Sequence, residues 1–264
     1  MKQKQMPQIK LPFWECARRS FLYVFTNFSA FTKISSIWFL ILIYEVVVGF
    51  PSLCGLEGEI CPSKGYQNLS VVIMYLASIS IAVGFSRQII LKEDKKYFSF
   101  SFGWREIKYL GYNLLLFLLV ALPAGIIVGI LKSFGVKGGM LLLATGVVSL
   151  FFAITIARCF IILPAVATDD KDLTMEKAFN LTKGNANKIF WGQVILRVPL
   201  IIAVLILTTM YEMMEFDGLV SKFIMSALLI GLSYFDAALK TSFYSHVYQY
   251  FTYFLHHQNE ISEE

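Results

Sequence analysis

Six stretches of this chain are long and apolar enough to cross a membrane, and no other feature narrows its folds so far. They lie at about 34–53, 69–91, 109–131, 140–163, 189–211 and 223–247. A helix rises about 1.5 Å per residue, so about 20 apolar residues cross roughly 30 Å of hydrocarbon. The runs are continuous rather than alternating, which excludes a transmembrane barrel. An all-α polytopic membrane domain follows. It has six transmembrane helices and short interfacial helices, with residues 1–33 as an N-terminal segment and 248–264 as a tail. Composition agrees: 57% of the 264 residues are hydrophobic and 16% charged, against about 45–50% and about 25% in soluble domains. A soluble enzyme, a disordered chain and a disulfide-stapled domain are excluded on that ground.

The connections alternate in charge. Of the 23 lysines and arginines, seventeen fall in the N-terminal segment and the second and fourth connections, counting Arg87 and Arg158 at the adjoining span ends, and four in the first, third and fifth. Basic residues are retained on the cytoplasmic side, so both termini are expected there. The first apolar run begins only after Lys33, too far in for a signal peptide. The net charge of +5 comes without a metal-finger spacing or a long basic run, so nucleic acid is not an expected partner. The expected partner is the lipid bilayer, with a second membrane protein or a second copy as further candidates.

Cys16, Cys54, Cys61 and Cys159 form no CxxC and no cluster with histidine, so no metal site is expected. Cys54 and Cys61 share the first outer loop, turned by Pro51, Gly55, Gly58 and Pro62. A disulfide there is chemically permitted, two free thiols being the alternative.

Three inner segments carry aromatic or amphipathic patterns. Residues 13–28 place Phe13, Ala17, Phe21, Val24 and Phe28 on one helical face with Arg18 and Arg19 off it, as in an interfacial helix. Residues 97–110 hold Phe98, Phe100, Phe102, Trp104 and Tyr109. Residues 172–184 start on Asp172 as a cap and end at Gly184, with Met175, Ala178, Phe179 and Thr182 sharing a face. Arg18, Arg87 and Arg158, together with Pro51, Pro123 and Pro199, recur at intervals near 70 residues. Chance spacing explains them as well as an internal repeat does.

Ionisable and polar groups inside spans are the candidate site residues: Glu45, Asn113, Gln193, Arg197, Asp236 and Lys240. Charges at membrane depth are costly and mark either function or a static pair that fixes helix packing. Depth arithmetic along helices 1 and 5 pairs Glu45 with Arg197, with Asp236 as a rival and Lys240 its alternative partner. The histidines, His246, His256 and His257, gather near the C-terminus and read as solvated. No HExxH, GxSxG or Walker loop occurs, so no catalytic residue and no cofactor is assigned.

Residues 158–190, "RCFIILPAVATDDKDLTMEKAFNLTKGNANKIF", and the later "DAALKTSFYSHVYQYF" carry a resemblance. An Arg near a helix end precedes Leu-Pro-Ala, an acidic turn and an "A-F-x-L-T-K-G-N" helix. This resembles the bacterial six-helix membrane domain fused to some glycerophosphodiester phosphodiesterases, and its stand-alone YciC-like relatives. Arg158, Leu163, Pro164, Ala165, Ala178, Thr182, Lys183 and Gly184 match. The resemblance implies a six-helix fold and a bacterial inner membrane and brings no agreed activity; nothing here supplies the phosphodiesterase barrel or its acidic metal ligands, so no catalytic residue is carried over. The expected function is non-enzymatic, in membrane organisation or in solute or lipid handling. A secondary transporter using the intramembrane charges and an anchor for a partner protein are the rivals.

Overall fold

A computed structural model describes residues 10–49, 64–94, 96–97, 100, 102–213 and 219–263. The described residues hold helices and no strand. In order they are α1 (Phe13–Thr26), α2 (Phe28–Gly49), α3 (Lys64–Leu91), α4 (Trp104–Ser133) and α5 (Gly138–Ala157). A 3-10 turn (Arg158–Ile161) leads into α6 (Ile162–Ala167), followed by α7 (Met175–Leu181), α8 (Ala186–Met213) and α9 (Leu219–Glu263). Five are long and apolar enough to span a membrane, or six if the bent pair α1–α2 counts as one.

The molecule has two tiers that differ in packing. In the basal tier, α1, the last turns of α3, residues 158–167, the start of α8 and residues 234–251 of α9 close on one core. Phe85, Ile161, Ile162, Ile189, Phe243 and Phe251 are fully buried in it. The apical tier is the reverse: 61% of the most apolar stretch of α3 is buried, against 11% in α4 and 6% in α8. Leu122, Ile126, Leu143, Val147, Ile202, Leu205, Ile206 and Ile224 all stand exposed there. Apolar surface on that scale has no place in water, and these side chains face lipid. The all-α polytopic membrane fold expected from the hydropathy is therefore what the chain forms.

Exposed tryptophans mark the boundary between the tiers: Trp14, Trp104 and Trp191. Tryptophan collects at the membrane interface, where an apolar ring and a polar N–H are both accommodated. On α8 the rise from Trp191 to Met213 is about 33 Å, close to one hydrocarbon thickness.

Several details differ from the expectations. α9 does not end at 247 but runs 45 residues, about 68 Å, more than twice the hydrocarbon thickness. Its extra length is not a loose tail: Val247, Tyr248 and Phe251 are core residues. The fourth span breaks at Ala157 into the 3-10 turn and α6, whose residues 161–165 are all buried.

α1 forms and bends 70° away from α2, but its buried face is Cys16, Ala17, Ser20 and Val24. That face is rotated from the expected one because α1 packs on α8 and α9. Trp14, Leu22 and Phe25 form a second, exposed apolar stripe with Arg18 between them. Residues 97–110 do not make a separate interfacial helix. α4 begins at Trp104, where the Glu106 carboxylate accepts the Gly103 N–H at 2.8 Å, and Phe100 and Phe102 pack on Trp38. α7 is capped by Thr174, whose hydroxyl accepts the Lys177 N–H, rather than by Asp172, and Gly184 ends the segment with φ 81°. Pro123 and Pro199 sit inside helices that continue through them. Pro51 and the Cys54–Cys61 loop lie outside the described residues; Cys16 and Cys159 are buried free thiols.

Candidate functional site: a charged cluster between α8 and α9

Small side chains let α8 and α9 approach closely. A Cβ built on Gly192 would come within 2.6 Å of the Phe243 ring, so any larger residue there forces the ring to shift. This contact fixes the register of the two helices. Gln193 then meets Tyr244, whose hydroxyl donates to its side-chain oxygen, and Arg197 meets Asp236 at 2.6 Å. Tyr244 stacks on Phe160 at 5.3 Å with an interplanar angle of 15°. The Lys240 ammonium lies 5.1 Å over the same Phe160 ring.

The structure therefore brings together four of the six sequence-derived residues: Gln193, Arg197, Asp236 and Lys240. It adds two that hydropathy could not flag, Phe160 and Tyr244. Asn113 stands apart on α4, half-buried, with no hydrogen bond among the described residues.

The pairing differs from the expected one. Arg197 takes Asp236, not Glu45, and so Asp236 is not left to Lys240. Helix register gives the reason. The Tyr234 hydroxyl donates to the Trp38 carbonyl, and Phe39 lies beside Gly231. α2 runs antiparallel to α9, so Glu45 lies level with about residue 226, some ten residues outward of Asp236. At 1.5 Å per residue its backbone is about 15 Å from the Arg197 level. The side chain of Glu45 lies outside the described residues.

Charge and exposure set what this cluster can do. The side chains of Arg197 and Asp236 are 33% and 34% exposed, and the exposed residues of α8 from Trp191 to Ile206 are otherwise apolar. Lys240 forms no ion pair among the described residues, and its partner is an aromatic face, which attracts a cation without neutralising it. Asp236 engages only the Nη2 of Arg197, and Nε is buried without a hydrogen-bond acceptor. Two cations and one anion leave an excess of one positive charge. Counting from Trp191, Arg197 is about 9 Å into the hydrocarbon, and Lys240, nearer the tryptophan level, about 6 Å.

A second set of contacts holds the basal tier around this cluster. Arg158 donates to the Phe179 carbonyl and lies 3.7 Å over its ring. Thr182 donates to the Arg158 carbonyl. Arg87 reaches the Ala167 carbonyl at 3.1 Å and the Asp169 carboxylate at 3.6 Å, and Arg105 meets the same carboxylate at 2.5 Å. Tyr248 donates to Asp170 at 2.6 Å. The buried Asn185 accepts the Leu11 N–H at 2.9 Å, and Lys188 donates to the Leu11 carbonyl. Arg158 and Thr182 therefore act as braces for the 158–182 segment that packs Phe160 beneath Lys240.

Between α1 and α9 a groove of about 470 Å³ is lined by Glu15, Cys16, Arg19, His246, Gln249 and Tyr250, among others. The Glu15–Arg19 pair on its rim is exposed. The His246 Nδ1 lies 2.7 Å from the Ser242 carbonyl, one turn back on its own helix, so His246 is a basal-tier residue rather than a solvated tail one. Burial pushes the Cys16 thiol up from its ordinary 9.0 to about 11, the opposite of an activated nucleophile. Among the described residues no group of three or more histidine, cysteine or carboxylate side chains is placed to hold a metal.

Set against known protein families, curated proteins and solved structures, the chain shows no significant match to any of them.

Proposed function

We propose that this is a non-enzymatic membrane protein that handles an amphiphile, a lipid or a lipid-like solute, at the α8–α9 cluster. One observation carries the reading. A charged pair, one third exposed, opens onto the lipid-facing side of helices that are otherwise apolar there. A static packing pair would be expected to close off from lipid, because exposed charge at that depth is costly. A laterally open pair instead suits a ligand whose head is polar and whose body stays in the bilayer. The excess of basic residues in the basal connections supports a cytoplasmic basal tier with both termini inside. The likeness of residues 158–190 to the membrane domain of glycerophosphodiester phosphodiesterases favours a bacterial inner membrane.

The test is lipid retention by the full-length protein, extracted in mild detergent, washed and examined by native mass spectrometry. Stoichiometric retention of a lipid or amphiphile, lost in the Arg197→Gln/Asp236→Asn double variant, is the expected result. A wild-type protein that emerges free of any amphiphile overturns the reading. Flux of a water-soluble solute through proteoliposomes, abolished by the same variant, would favour the transporter instead.

A further inference from the structure

We propose that the ligand of this cluster is an anionic phospholipid, its phosphate held between Lys240 and Arg197. The inference rests on the amphiphile reading above and adds the class of head group. Charge comes first. Arg197 and Lys240 share a single carboxylate, Asp236, so one positive charge stays uncompensated among the described residues in a region of low dielectric, where that is costly. Glu45, the remaining carboxylate of the sequence-derived set, has its backbone about 15 Å outward. Arg158, two residues before Phe160, is turned away onto Phe179. A monoanionic phosphodiester restores neutrality.

Donor geometry comes second. A guanidinium carries donors on more than one edge and can hold a carboxylate and a phosphate at once. Here Nη2 donates to Asp236 and Nε is buried, which leaves Nη1, with no hydrogen bond among the described residues, as the donor a phosphate can reach. Lys240 offers three N–H donors from a long flexible stem, and none makes a hydrogen bond among the described residues.

Depth comes third. Lys240 lies about 6 Å inside the tryptophan level, within snorkelling reach of the phosphates of the adjacent leaflet. Outward of the cluster, Ile201 and Leu205 lie one and two turns beyond Arg197 on the same face of α8 and are exposed, a surface along which acyl chains can lie.

The experiment uses the full-length protein loaded with equal amounts of phosphatidylglycerol and phosphatidylcholine of identical chains, read by native mass spectrometry. Phosphatidylglycerol should be retained about fivefold more, the effect of one basic contact at an anionic head group. Lys240→Gln should remove that preference and Lys240→Arg should keep it. Millimolar glycerol phosphate should displace nothing. Should Lys240→Gln fail to fold, the wild-type preference should itself fall as salt is raised. Equal retention of both lipids, a preference untouched by Lys240→Gln, or one insensitive to salt overturns the anionic assignment while leaving an amphiphile site standing. Displacement by glycerol phosphate overturns it in favour of a soluble phosphate ester. Retention of neither lipid fails the amphiphile reading itself.

Discussion

Replacing Arg197 by glutamine strands Asp236 between α8 and α9, and the cost follows from how exposed the pair is. A solvent-exposed ion pair is worth about 0–1 kcal/mol, whereas removing one partner of a fully buried pair costs about 3–5 kcal/mol. With side-chain exposures of 33% and 34%, the Arg197–Asp236 pair falls between these limits, at about 2 kcal/mol for either single variant. At about 2–4 °C per kcal/mol for a chain of this size, that lowers the melting temperature by about 4–8 °C. Thermal unfolding in detergent, followed by a thiol-reactive dye or by tryptophan fluorescence, reads this directly. The Arg197→Gln/Asp236→Asn variant leaves two neutral side chains and should recover most of the loss, with a coupling of at least about 1 kcal/mol in the cycle. Glu45→Gln should not couple to Arg197→Gln at all, since α2 and α9 place the two residues at different depths. Additive losses for Arg197 and Asp236, or strong coupling between Glu45 and Arg197, would refute the register on which the site is built.

Gly192→Ala should destabilise by about 1–3 kcal/mol, because its methyl group meets the fully buried Phe243 ring; the melting temperature should recover in part with Phe243→Leu. Asn185→Ala removes the acceptor of the buried Leu11 N–H and should cost about 1–3 kcal/mol, with hydrogen exchange rising first at residues 10–13. Cys16, with its thiol pushed up to about 11, should resist alkylation at pH 8. Because the unfolded thiol ionises first, it should also withdraw stability as pH rises from about 9 to about 11, an effect absent in Cys16→Ala. A phosphatase fused after Glu263 should be inactive and one inserted near Lys137 active if the basal tier is cytoplasmic.

The sequence was most informative where one physical force dominates. Uninterrupted apolar runs marked the all-α membrane fold because lipid admits few other structures, although five helices, or six with the bent α1–α2 pair as one, are long and apolar enough to span where six were expected. The rarity of charge at depth singled out Arg197, Asp236 and Lys240. What it could not give was register between distant helices, which here rests on one glycine–phenylalanine contact at Gly192 and on the Tyr234–Trp38 hydrogen bond. Counting depth from the guessed ends of spans therefore set Glu45 opposite Arg197. The basal extension of α9 was hidden for another reason. Beyond residue 247 the buried Tyr248 and Phe251 alternate with Gln249, Thr252 and the His256–His257 pair, so the hydropathy falls although the helix is still packed. The Arg197 partner and the Phe160 platform under Lys240 depend on that same packing, and Phe160 in isolation reads as one more apolar residue in a span.

The central claim is that the molecule has a lipid-facing apical tier and a separately packed basal tier, meeting at the tryptophan level. A nitroxide scan along α9 from Val220 to Tyr253, comparing collisions with oxygen and with a water-soluble nickel complex, tests this most directly. Val220, Ile224 and Leu228 should favour oxygen, the buried positions Ala238, Leu239, 241–245 and Val247 should be immobile and shielded from both, and Tyr253 should favour nickel. An oxygen-rich, lipid-like signal that continues unbroken through Tyr253 would contradict the two-tier account.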